Sequence, residues 1–414
     1  MNVLVLGPDS EAARFNDLDY ARMLAQYGGA TVHRLDPTEL YRAHGMEGME
    51  AAITRLVDEA RIEYLFYGLG TEFDFRPEFL HERLARLYRV LILGDDELYF
   101  EVSHRYYAQC FDLVLTNNPL VERFHLYGIE ALFLPNVFHP DTFPAPSGGV
   151  KSLDISFVGG FQGQIGRLEY CQALTAAGLG LEVYGPGSAT GAIELPEVVR
   201  VYQQSRINLN FTGVVPDTPL THDLRITRHV RQIKGRCTKI ALCGSFILTE
   251  QAPGIERLFV PGREIEVFDS VEELLDKSRH YLAHEPAREA MAARAHARAL
   301  HDYDERVFWP RMVAAIRERA AARPAAAPVC LDRQFWRGFG AWRSNHLAYF
   351  LLTWRMRLAW GELVRMLHSP WPGWGAVIGF SKYGLSAAKR AGSLPARWLA
   401  RLARKFRGAT GAAA

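Results

Sequence analysis

Two rhythms alternate along the chain. Short apolar runs that end at a turn residue are followed by stretches whose apolar positions recur three and four apart. The first rhythm marks buried strands and the second amphipathic helices. The pattern predicts strands over 3–6, 31–35, 62–67, 90–93, 110–116 and 131–135. Helices are predicted between them over 11–27, 49–60 and 119–127. Residues 139–149 then bring three prolines and a glycine pair, a linker composition. The alternation restarts with strands over 154–158, 181–184, 207–211, 246–249 and 265–268, and helices over 168–177, 196–205, 231–242, 271–284 and 286–301. Strands alternating with helices imply parallel sheets covered on both faces. The expected architecture is α/β, two Rossmann-like doubly wound domains facing a cleft, over 1–138 and 153–318, joined by a linker at 139–152. An Ala/Pro-rich tether over 319–329 leads into a helical tail, 330–414.

Composition changes this picture in one place. Hydrophobic residues make up 49% and charged residues 23% of the 414, ordinary for packed domains. The formal net charge of +2, however, divides unevenly. The tail holds 11 Arg and 3 Lys against Asp332 and Glu362, a net +12, which leaves −10 on residues 1–329. Seven of the eight tryptophans also lie in the tail. The first part is therefore not a basic nucleic-acid binder, and no nucleic-acid partner is expected. The tail combines cations with Trp, a headgroup-seeking side chain, and is expected to bind an anionic membrane surface. Its segment 397–407 sets Trp398, Leu399, Leu402 and Phe406 near one helical face. The alternative for the first half of the tail is that Trp336, Trp342, Trp354 and Trp360 pack a small helical subdomain onto the two-domain body. Five scattered cysteines without a C-x-x-C pair fit a reducing compartment and no zinc site. Residues 1–7 lack a basic start and a long apolar run, so no secretory segment is expected, and no run of about 18 uncharged apolar residues predicts a membrane span. A cytoplasmic protein, peripheral on the inner face of the cell membrane, is expected.

Candidate chemistry gathers at four places. Gly159-Gly160 and the Gln162 loop follow a strand and precede a helix, where backbone N–H groups can approach a phosphate. The spacing is not G-x-G-x-x-G, so a plain tight turn is the competing reading. The stretch from Arg231 to Lys239, with Lys234 and Arg236 inside it and His222, Arg225, Arg228 and His229 ahead of it, collects cations at a helix start. A solvated basic face competes with a diphosphate site there. Glu250, Pro253-Gly254 and Glu256 sit at a strand end, where the acids can accept from sugar hydroxyls or simply compensate a helix dipole. Asp95 and Asp96, in the run from Gly94 to Glu97, are carboxylates at a strand end, either general bases or helix N-cap residues. No metal-ligand constellation is present.

The segment QIKGR…ALCGSFILTEQAPGIERLFVPGREIEVFDSVEELLDK resembles the C-terminal signature of GT-B glycosyltransferases, most closely the CgeB-like, spore-maturation group. FDLVLTNN…YGIEALFLPNVFHPDTF, DISFVGG and SRINLNF extend the likeness over roughly residues 90–315. The resemblance implies transfer of a sugar from a nucleotide-sugar donor to an acceptor, with no metal and no cofactor beyond that co-substrate; a glycan is the expected acceptor, and the membrane-directed tail would fit a lipid-linked one. It implies that Gly159, Gly160, Gln162, Lys234 and Arg236 face the diphosphate and that Gly254 lines the sugar, with Asp95 or Asp96 acting on the acceptor. Lys239 stands where relatives carry a ribose-binding acid, and Arg231 where they carry a second Glu. That departure keeps two alternatives open, a nucleotide-sugar epimerase of the same fold and a non-catalytic glycan- or nucleotide-binding scaffold.

Overall fold

Strands form where β-branched and long apolar residues run uninterrupted, and they stack as two parallel sheets. In the computed structural model, which describes residues 1–7, 19–68, 74–146, 148, 151–160, 166–214, 229–323, 331–352 and 354–368, the first sheet has the order β2-β1-β3-β4-β5-β6. Its strands are β1 (Asn2–Leu6), β2 (Thr31–Leu35), β3 (Tyr64–Gly68), β4 (Tyr88–Leu93), β5 (Leu113–Thr116) and β6 (Ala131–Phe133). The second sheet, order β11-β10-β9-β7-β8, contains β7 (Leu153–Val158), β8 (Leu181–Tyr184), β9 (Ser205–Asn210), β10 (Ile247–Glu250) and β11 (Glu266–Phe268). Every strand pair in both is parallel. All six residues of β4 are buried, and its one charge, Arg89, is matched by Asp112 (3.0 Å).

The main helices are α1 (Tyr20–Gly28), α2 (Pro37–Glu59), α3 (Arg167–Ala176), α4 (Leu195–Gln204), α5 (Arg236–Leu242), α6 (Val271–Ala283), α7 (Glu285–Asp302), α8 (Glu305–Ala322), α9 (Arg333–Leu352) and α10 (Met356–His368). Three depart from the sequence pattern. The helix expected from residue 49 starts at Pro37, where Asp36 caps the N–H groups of Thr38 and Glu39, and Gly45 at φ 71° kinks it. The helix expected from residue 231 starts only at Arg236. Arg231 instead bridges Gly213, and the Gln232 N–H donates to the Thr212 carbonyl, so 231–232 is extended and Lys234 sits in a loop. Residues 319–322, expected in the tether, continue α8.

Helix α8 returns from the second sheet to the first. Trp309 is buried and meets Tyr20 edge-on at 6.0 Å, while Arg22 and Tyr27 of α1 both donate to the Glu305 carboxylate. One hydrophobic core accordingly runs from Val3, Phe66 and Leu113 through Trp309, Met312 and Ile316 to Ile240 and Ile247. A second lies on the other face of the second sheet, around Phe157, Phe211, Phe246 and Phe268.

The chain divides into two compact units. Both sheets belong to one. In the other, the described part of the tail packs on Tyr99–Tyr107. There α9 stacks Phe339 on Tyr107 (5.9 Å) and sets Trp342 edge-on to Tyr99 (6.2 Å). Helix α10 lies against α9, and its Glu362, fully buried, is held by Arg343 and Arg365. The segment 397–407 lies outside the described residues.

Candidate active site

A doubly wound sheet opens a crevice where neighbouring strands send their connections in opposite directions. In the second sheet this point falls between β7 and β9, because the chain proceeds from β7 to the β8 edge and from β9 toward β10. Gly159-Gly160 leave β7 there, and Phe211 to Val214 leave β9.

Arg236, the first residue of α5, spans this crevice. Its Nε donates to the Val158 carbonyl (2.6 Å), its Nη1 to the Asn210 side chain (2.6 Å), and its guanidinium covers the Phe157 ring at 4.8 Å. A methyl group on Gly159 would collide with its Nη2, which is why the strand ends in glycine at this position. Arg167, the first residue of α3, approaches from the other side. It donates to the Gly160 carbonyl and lies 5.4 Å from the same Phe157 ring. Arg167 is 3% exposed, and its Nε has no hydrogen-bond partner among the described residues. Burial, followed by the charge of Arg236, lowers its pKa to about 10. Neither arginine is paired with a carboxylate among the described residues. A buried and a half-buried guanidinium, side by side and with no carboxylate partner among the described residues, form a site that favours an anion.

Lys234 adds a third cation. Burial lowers its pKa, against the opposing pull of Asp95. Its ammonium donates to the Gln232 Oε1, and the Gln232 Nε2 donates in turn to Asp95 (2.6 Å) and Glu97 (3.2 Å). The carboxylates at the end of β4 and the cations of the second sheet therefore share one relay. Asp95 occupies the left-handed region at φ 54°, a conformation Asp tolerates better than most residues. Asp96 is buried and accepts from the Thr116 hydroxyl (3.0 Å). Glu97 is raised to about 7, mainly by burial and further by Asp96 and Asp95.

The remaining candidates make other contacts. Both oxygens of buried Glu250 are engaged. One accepts the N–H groups of Thr212 (2.8 Å) and Gly213 (3.1 Å), and the other meets Arg231 (2.7 Å), so its carboxylate shapes the loop after β9. The Lys239 ammonium lies over Phe138 (4.6 Å) and Phe143 (5.2 Å), where the first domain runs into the linker. Gly254, at φ 82°, is pressed against Pro119 of the first domain, and neighbouring Arg257 donates to the Pro119 carbonyl (2.7 Å) and to Glu122 (2.6 Å). Glu256 is exposed. Gln162, His222, Arg225 and Arg228 lie outside the described residues.

Sequence reasoning passed over Arg167, Asn210 and Gln232. Two had a signal. Asn208 and Asn210 break an apolar strand with polar side chains, and Arg167 is the first cation after the glycine-rich loop. Gln232 had none, because only the extended backbone of 231–232 turns it toward Asp95.

Residues 167–308 match a sequence family described as glycosyl transferase-like. No curated protein matches the sequence. Among solved structures, sucrose-phosphate synthase from Thermosynechococcus elongatus aligns over 78% of this chain and 100% of its own, at 9% identity and a TM-score of 0.56. HepE from Anabaena, in complex with UDP-glucose, aligns over 77% and 99% at 13% identity and 0.54. A glycosyltransferase from Rickettsia africae aligns over 77% and 98% at 9% identity and 0.54. The chain thus has the GT-B fold, two parallel-sheet domains of which the second carries the glycosyl transferase-like match.

Proposed function

We propose that the protein is a glycosyltransferase that moves a sugar from a nucleotide-sugar donor, a UDP-sugar, to a hydroxyl of a glycan or lipid-linked acceptor, without a bound metal. The observation that carries this reading is the cluster of buried Arg167 and half-buried Arg236 and Lys234 at the switch point of the second sheet, with no carboxylate counterion on either arginine among the described residues. The UDP and UDP-glucose complexes of the similarly folded HepE support UDP as the donor nucleotide.

The chemistry follows from where charge develops. As the acceptor oxygen bonds to the anomeric carbon, the bond from that carbon to the diphosphate oxygen breaks and the electron pair leaves with UDP. Preorganised cations stabilise that growing charge without reorganising. The acceptor hydroxyl gives its proton to the Asp95–Glu97 cluster, in which Glu97, near 7, is poised for proton transfer at neutral pH. Asp96, tied to Thr116, positions the pair. The tail, with its net +12, brings the enzyme to an anionic membrane surface at the inner face of the cell membrane, which suits a lipid-linked acceptor. The likeness to the CgeB-like group fits the same reading.

The test is calorimetric titration of UDP followed by UDP-release assays. Arg236→Ala and Arg167→Ala each lose a charge-assisted contact of about 1.5–3 kcal/mol, roughly tenfold to over a hundredfold in affinity. Unchanged affinity in both removes the donor-site assignment. Conversion of the UDP-sugar without an acceptor identifies an epimerase. Binding with no turnover on any acceptor identifies a scaffold.

A further inference from the structure

Four residues of α10, Met356, Trp360, Leu363 and Leu367, recur at helical spacing and form a single stripe. All four are exposed, Trp360 at 67% and Leu367 at 63%. Trp354, in the turn between α9 and α10, is 81% exposed. The opposite side of the same helix buries Ala359 and Glu362 against α9. An amphipathic helix normally turns its apolar stripe inward. Here the inward side carries a buried ionic network, Arg343–Glu362–Arg365, and the outward side is apolar.

We propose that this outward stripe, with Trp354, is a preformed docking face for an anionic lipid bilayer. The proposal rests on the reading of the tail as membrane-directed and names the surface that does it. Charge complementarity selects the occupant. The only acid of α10 is turned inward, and exposed Arg355 and Arg357 flank the Trp354 end. Aromatic and aliphatic side chains bordered by arginines match the boundary between headgroups and acyl chains. No helix among the described residues is long and apolar enough to cross a membrane, so the face lies in the interface plane.

The experiment uses the full chain and sedimentation with vesicles of phosphatidylglycerol and phosphatidylcholine. Met356, Trp360, Leu363 and Leu367 are replaced together by Ser, and Leu363→Asp is made alone as the milder variant. All four positions are exposed, and unchanged far-UV circular dichroism checks the fold. Wild type is expected to pellet, and the fourfold variant to lose about a hundredfold in partition coefficient. Leu363→Asp should fall between them. Equal pelleting of wild type and both variants overturns the proposal and places lipid binding elsewhere in the tail. Concentration-dependent dimers in sedimentation velocity, abolished by the variants while vesicle binding is absent, also overturn it, in favour of a second copy as the occupant. UDP titration of the same proteins separates this failure from failure of the donor site, because none of the substituted residues belongs to the cationic cluster of Arg167, Lys234 and Arg236.

Discussion

Gly159 shows how closely the site is fitted at the scale of single residues. Its α-carbon lies against the Arg236 guanidinium, which is itself fixed by Val158 and Asn210. Gly159→Ala is expected to push the guanidinium out of the crevice and weaken UDP binding about tenfold, roughly one lost hydrogen bond to a charged group. Calorimetry on the variant measures this directly. Glu97 gives a pH signature. Its carboxyl is raised from 4.5 to about 7 by burial, so between those values the folded protein holds a proton that the unfolded chain releases. Stability from this group is present in full below about pH 4.5 and is lost as pH rises through about 7. Activity that needs the carboxylate runs the other way and increases through about pH 7. Glu97→Gln should flatten both, the stability slope by denaturant titration and the rate profile by UDP release, with turnover down about 10²–10⁴-fold. Asp95→Asn, which keeps the left-handed backbone and the size of the side chain, should lower turnover while UDP affinity holds.

At the scale of elements, the crevice depends on the loop after β9, and that loop depends on one carboxylate. Glu250→Ala would remove the acceptor of two buried N–H groups and the carboxylate that faces Arg231, at a cost of about 3–5 kcal/mol. A fall in thermal midpoint, accompanied by weaker UDP binding, is the expected result. Most of the elements were legible in the sequence because period and breaker residues fix them locally. The strands at 3–6, 31–35 and 181–184 and the helices at 271–284 and 286–301 return with nearly the same bounds. The start of α5 was not legible. A run from Arg231 to Leu242 has helical spacing throughout, and only the tertiary bridge from Arg231 to Gly213 draws its first residues out of the helix. The site was legible to the same degree. Glycines and cations announced a crevice at the end of β7, whereas the Gln232 relay to Asp95 and Glu97 depends on two segments about 135 residues apart in sequence. The same limit applies to Glu250 and Lys239, whose residue types were read for a ligand and whose partners in the fold are Arg231 and two phenylalanine rings.

For the unit that contains both sheets, the decisive element is α8. It begins directly after α7 of the second domain and finishes on the first, where Val313 fits against Gly28 and Arg317 donates to the Gly28 carbonyl (2.8 Å). Trp309, Val313 and Ile316 are at most 2% exposed there. The first domain is consequently completed by residues that leave the ribosome last among those of the two sheets. Until about residue 322 has emerged, α1 has no cover on the side that Trp309 and Val313 will take, and the nascent first domain presents an apolar surface to chaperones. A ribosome-released fragment ending at residue 138 should aggregate or bind chaperone, and adding a peptide of residues 303–323 in trans should restore its solubility.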